Sequence, residues 1–246
     1  MSISPGEIAA LAGVALLGAV IFGITGFGAA LITIPLATYL VPLPFALALF
    51  ALMDLANTLR IGLADRENAL RAEWGRMAPF ILAGTVAGVT ALVNLPRKAA
   101  MLALGVFVVA VAVSTFARGA KVQSVSHGWA YVAGFAGGIT STLFGAGGPP
   151  YAIYLSRRGL TNAQYRATLG RCTTISISLR VAAFLVTGLL LVPEVWLTAL
   201  FALPASLAGI ALASRIFRRF SRDLLMRVIG LMLAATGVSL VVRALG

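Results

Sequence analysis

The sequence predicts an all-α polytopic membrane protein made of two inverted-topology repeats, each a broken-helix hairpin plus three transmembrane helices. Composition, an internal duplication and the placement of basic residues carry that expectation. Of 246 residues, 60% are hydrophobic and 11% charged, with a mean hydropathy of +1.01. A soluble domain carries about 25% charged residues, so this chain could not cover itself in water. Its 26 glycines suit helices that approach closely inside lipid.

The duplication shows as recurring offsets. A shift of 125 places Pro79 on Pro204, Gly84 on Gly209, Arg97 on Arg222, Gly105 on Gly230 and Arg118 on Arg243. Earlier segments match at 115 (Pro35 with Pro150, Leu40 with Leu155) and at 120 (Leu59-Arg60 with Leu179-Arg180). The halves are therefore residues 1–120 and 121–246, together one transport domain.

Charge decides their orientation. If each glycine-rich break is a hairpin returning to its starting side, eleven Lys and Arg fall on one face and three on the other. If each break is a single crossing, the loops split six against eight. Short cytoplasmic loops collect Lys and Arg, so hairpins, inverted halves and two periplasmic termini are expected. The formal charge of +12 has the same topological origin, and no nucleic-acid partner is expected.

In chain order, an apolar region from Ile8 to Leu40 is interrupted at Thr25-Gly26-Phe27-Gly28, giving two arms of similar length. Spans follow at Phe45–Leu63, Met77–Leu95 and Ala99–Ala117, with a charged loop from Asp65 through Glu73 to Arg76. Arg118 to His127 connects the halves. The second broken region, Gly128–Leu155, contains four glycines and two prolines between Gly138 and Pro150. A long helix from Ala163 to Val192 follows and is ended by Pro193; then come Val195–Ala213 and Leu224–Leu245. The second arm of the later hairpin is too short to cross, which favours re-entry there.

Broken backbone in a membrane is tolerated only inside protein or a wet cavity. Helix N-termini at such breaks attract anions, and paired breaks in two halves mark transporter sites. The expected binding residues are Thr25, Gly26, Phe27 and Gly28 in the first tip, and Ser141, Thr142, Phe144, Gly145 and Gly147 in the second. Embedded arginines face the interior or a pathway. Arg180 lies deepest, Arg171 sits two to three turns away, and Arg60 is the repeat mate of Arg180. Asp54 is the one carboxylate inside any expected span, with Asn57 and Arg60 on the same helix. It is either a proton-coupling group or the counter-ion of an arginine. One His and one Cys assemble no metal cluster or catalytic triad, so no cofactor and no enzyme activity are expected.

The Gly23-x-Thr25-Gly26-Phe27-Gly28 tip with Ile34-Pro35-Leu36 resembles the sulfite exporter TauE/SafE family, also called the TSUP permeases. The same is true of Phe144-Gly145-Ala146-Gly147-Gly148-Pro149-Pro150 and of Leu160-Thr161 with Tyr165-Arg166-Ala167-Thr168. The resemblance covers essentially the whole chain. It implies a bacterial inner-membrane transporter of sulfite, organosulfonates or other small organic anions, often outward. The expected function is thus a secondary transporter of a small sulfur-containing anion by alternating access. A passive anion channel is the alternative, and a membrane enzyme or assembly factor lacks its constellation here. Substrate, direction, proton or sodium coupling and any homo-oligomer stay open.

Overall fold

A computed structural model describes residues 3–25, 29–62, 67–116, 125–219 and 222–245. Among these there are ten helices and no strand. In order they are α1 (Pro5–Thr25), α2 (Ala30–Ala37), α3 (Leu43–Gly62), α4 (Arg71–Asn94), α5 (Arg97–Phe116), α6 (Trp129–Phe144), α7 (Gly148–Leu155), α8 (Asn162–Val186), α9 (Pro193–Arg219) and α10 (Arg222–Leu245). Four of the described helices, α1, α4, α8 and α9, are long and apolar enough to cross a membrane. Shorter apolar stretches lie in α3, α5 and α10. Val86, Val93, Val106, Val113, Leu200 and Phe201 point outward from the bundle, as lipid-facing residues should.

Both short arms fold back on the helix before them. The expectation of two similar arms before Leu40 is not met: α1 has 21 residues and α2 only eight. Eight residues span about 12 Å, well short of a ~30 Å hydrocarbon core, so α2 can only re-enter. A turn at residues 38–42 ends it, with Thr38 donating its hydroxyl to the Pro35 carbonyl at 2.7 Å. A Cβ on Gly18 of α1 would lie 2.2 Å from Thr33 of α2, which records how closely the arms pack.

The second hairpin is built alike but breaks later than its glycines suggest. α6 runs unbroken through Gly137 and Gly138, whose missing side chains admit the Tyr151 ring and the Ile81 carbonyl of α4. The break falls at Gly145, whose φ of +71° is left-handed. There the Gly145 and Ala146 amides donate to the Ser141 and Thr140 carbonyls, the bonding that closes a helix C-terminus. Pro149 and Pro150 then sit in the first turn of α7, where their missing N–H groups cost nothing.

Two further boundaries differ from expectation. α8 ends at Val186 rather than at Pro193, because Gly188 turns left-handed with φ +80°. Pro193 instead opens α9, the first-turn position proline favours. Glu73, expected in a loop, lies in the first turn of α4 and is buried. α8 starts with a capping box, Thr161 and Gln164 exchanging bonds at 3.1 and 3.2 Å. That gives the Leu160-Thr161 motif a local structural role.

Helix pairing follows a reciprocal pattern. α4 lies along α6, α1 along α9, and α5 along α10. Gly84 meets the Phe135 carbonyl and Gly138, whereas Gly209 meets the Leu16 carbonyl and Ala19. α5 and α10 cross antiparallel, Gly105 packing on Val241 and Gly237 on Val109. The interior shared by these pairs is where the short arms α2 and α7 end up.

Candidate functional site

The site is centred on α8, whose Thr173, Ser176 and Arg180 share one buried face at i, i+3 and i+7. Arg180 is 1% exposed and is the largest fully buried side chain described. Its Nη2 donates to Asp54 Oδ2 of α3 at 2.7 Å, and its Nη1 donates to the Ser141 carbonyl of α6 at 3.0 Å. Its Nε is buried with no partner. An arginine here is tolerated because the bidentate reach ties it to a carboxylate and to a helix end beside the break.

Next to this pair lies a small, partly open cavity. Ser141, Gly145, Gly147 and Gly148 bound it from the α6–α7 hairpin, Ala29 and Ala30 from the start of α2, and Asp54 from α3. Tyr151, Thr173 and Ser176 complete a polar wall. Tyr151 donates its hydroxyl to Ser176 at 3.0 Å, whereas Thr173 Oγ1 is buried without a partner. Gly145 and Gly147 hold the wall thin: a Cβ at Gly145 would crowd Ala30 at 2.7 Å and Arg180 Nη1 at 3.1 Å, and one at Gly147 the Gly137 carbonyl at 2.8 Å.

The N-termini of α2 and α7 both abut the cavity. Pro149 and Pro150 remove two amide donors from α7, leaving Gly148 and Tyr151 as the N–H groups of its first four residues. The α2 start, Ala30 and Leu31, keeps its donors.

The expected site residues thus separate. Asp54, Arg180, Ser141, Gly145 and Gly147 come together. Thr142 is buried beside them but donates back to the Gly138 carbonyl at 2.9 Å. Phe144 faces elsewhere, stacked on Phe107 of α5 at 5.2 Å between centroids. Arg171 lies over the Trp74 ring at 5.7 Å, not on the cavity. Asn57 points at α9, donating to Ser206 at 2.8 Å. Gly26, Phe27 and Gly28 lie outside the described residues, as do the side chains of Thr25 and Arg60. Tyr151, Thr173 and Ser176 escaped the sequence reading, although the spacing of the last two with Arg180 is the signal that finds them.

Each short arm is also tied down at its far end, around a tyrosine. After α2, Arg243 of α10 donates to the Thr38 carbonyl at 3.2 Å and stacks over Tyr39 at 4.0 Å, while the Tyr39 hydroxyl meets Ser239. In α7, Tyr154 donates to the buried Glu73 at 2.5 Å. Arg158 pairs with the same carboxylate at 3.2 Å, holds the Val125 carbonyl at 2.7 Å and contacts His127.

Re-entrant arms whose broken backbone meets a buried ion pair belong to proteins that pass solutes across membranes. Residues 11–240 match the Sulfite exporter TauE/SafE family, and the chain belongs to it; it is a membrane transporter. It is similar to the "Probable inner membrane transporter protein TsaS" of Comamonas testosteroni, at 27% identity over 194 residues, 78% of this chain and 81% of the relative. No solved structure matches.

Proposed function

We propose that the chain is a secondary transporter, working as an exporter, of a small sulfur-containing anion such as sulfite or an organosulfonate. It acts in a bacterial inner membrane and is not an enzyme. The observation that carries this reading is Arg180, buried at the broken tip of the α6–α7 hairpin with one donor unpartnered. Its planar guanidinium can donate in parallel to two oxygens of a sulfite or sulfonate. Thr173, the α2 amides and the Gly148 amide supply neutral donors around it.

The two halves, 1–120 and 121–246, act as inverted repeats. Three features support this: the antiparallel α5–α10 crossing, the return of both hairpins, and the matched packing of Gly84 on α6 and Gly209 on α1. Alternating access then consists of one repeat rocking against the other. The Tyr154–Glu73–Arg158 tie closes the cytoplasmic face and the Tyr39–Arg243 tie the periplasmic face, each opening in turn.

Reconstituted protein should move sulfite and methanesulfonate faster than taurine or acetate, and Arg180→Ala should lower that flux at least about tenfold, the loss of one charged contact. Wild-type rates in a folded Arg180→Ala protein would defeat the assignment. Uphill movement under an imposed ion gradient separates a transporter from a passive channel.

A further inference from the structure

The positive charge at the site is already balanced. Among the described residues three charged side chains are buried, and two of them, Asp54 and Arg180, neutralise each other at 2.7 Å. The third, Glu73, is held in its own cluster with Arg158. Among the described residues no other element packed on Asp54 brings a charge to that level, and Arg171 of α8 lies over the Trp74 ring instead. α2 has no ionisable residue, α1 only Glu7 near its start, and α9 only its terminal Glu194 and basic end. The titratable group besides Asp54 on the cavity wall is the Tyr151 phenol, bonded to Ser176, with Arg180 held behind Asp54 and Ser141. An anion entering beside the closed pair would leave a net negative charge in a low-dielectric interior, which is costly.

We infer that the anion enters with a proton, which binds Asp54 while the anion replaces the Asp54 carboxylate on Arg180. This rests on the anion-transport reading above. The exchange balances: Asp54 Oδ2 releases Arg180 Nη2 and takes a proton from the aqueous side then open. An anion oxygen accepts the freed Nη2–H, and Nε–H gains a partner it lacks in the closed site. For a singly charged anion, such as a sulfonate or hydrogensulfite, the site stays neutral throughout. On the far side the anion leaves, Asp54 loses its proton, and the ion pair re-forms so that the empty carrier can return.

A cation other than a proton would need several oxygen ligands around Asp54, whereas a proton needs only the carboxylate itself. The pairing leaves direction to the two gradients together, so export requires an outward anion gradient larger than the inward proton gradient. An anion accumulated in the cytoplasm leaves together with its proton down the combined gradient, and an acid exterior drives it back in. Asp54 is therefore a co-substrate site, and Arg180 alternates between an internal and a transported anion.

Methanesulfonate, whose charge does not titrate near neutrality, tests this in proteoliposomes. With an exterior about one pH unit more acid, wild-type protein should accumulate it about tenfold, and a methanesulfonate gradient should carry protons seen by an entrapped pH dye. Asp54→Asn should abolish both, leaving exchange that is indifferent to pH. Methanesulfonate flux that ignores the pH gradient, or follows a sodium gradient instead, overturns the proton coupling alone. Absence of any methanesulfonate or sulfite flux overturns the anion reading and the coupling with it. If Asp54→Asn fails to fold, the dye signal from wild-type protein still decides the coupling. Asp54→Glu, which keeps a titratable carboxyl, should then retain that signal, whereas Asp54→Ser should lose it. A signal that persists in a folded Asp54→Ser protein overturns the Asp54 assignment.

Discussion

Gly145 shows how one residue serves both backbone and site. Its left-handed φ of +71° closes α6, and its missing side chain leaves room for Ala30 and the Arg180 guanidinium. Gly159 is a built-in control, with φ +65° but open space where a Cβ would sit. Alanine at Gly159 should cost about 1 kcal/mol from backbone strain and leave flux intact. Alanine at Gly145 should cost visibly more in a detergent melt and suppress flux; equal melts would show that the packing at the tip is slack. Arg180, Asp54 and the glycines of the second tip were legible in the sequence, because a charge in an apolar run and a glycine-rich break are local signals. Phe144 was not, since the same ring can face a ligand or Phe107 and only the α5 packing decides. Glu73 was misplaced because its neighbours in sequence are charged, while its partners Tyr154 and Arg158 come from more than 80 positions away.

The short arms α2 and α7 are the elements that set this fold apart from a simple bundle. Neither can cross lipid, so each is held by its hairpin partner at one end and by a tyrosine tie at the other. Tyr154→Phe removes a hydrogen bond to a buried carboxylate, a change of about 1.5–3 kcal/mol. Tyr39→Phe keeps the stacking on Arg243 and loses only a neutral bond, about 1 kcal/mol. Hydrogen exchange should accordingly rise more in α7 for Tyr154→Phe than in α2 for Tyr39→Phe. The reverse order would mean that the buried carboxylate does not anchor its arm. The existence of both hairpins was readable from glycine and proline placement. Their unequal arms were not, because an apolar run such as 29–42 does not mark where a helix yields to a turn.

For the whole molecule, the proposed inversion of the halves makes a topological prediction. Cys172 is the sole cysteine of the chain and is fully buried, so it gives little background in thiol labelling. Leu191, exposed in the α8–α9 turn, and Ser156, exposed after α7, should lie on opposite faces. In intact cells a membrane-impermeant maleimide should label Leu191→Cys and not Ser156→Cys, and a reporter at Gly246 should be periplasmic. Duplication and charge bias are the sequence signals from which the inversion is proposed. The reciprocal pairing of α1 with α9 and α4 with α6 depends on contacts between distant segments that no local pattern encodes.

The central claim is that Arg180, at the tip of a re-entrant hairpin, binds the transported anion. Its most direct measurement is binding of radiolabelled sulfite to purified protein, comparing wild type with Arg180→Lys and Arg180→Ala after each has shown a native melt. Saturable binding that weakens in Arg180→Lys and disappears in Arg180→Ala is the predicted result. Undiminished binding to folded Arg180→Ala protein would contradict it.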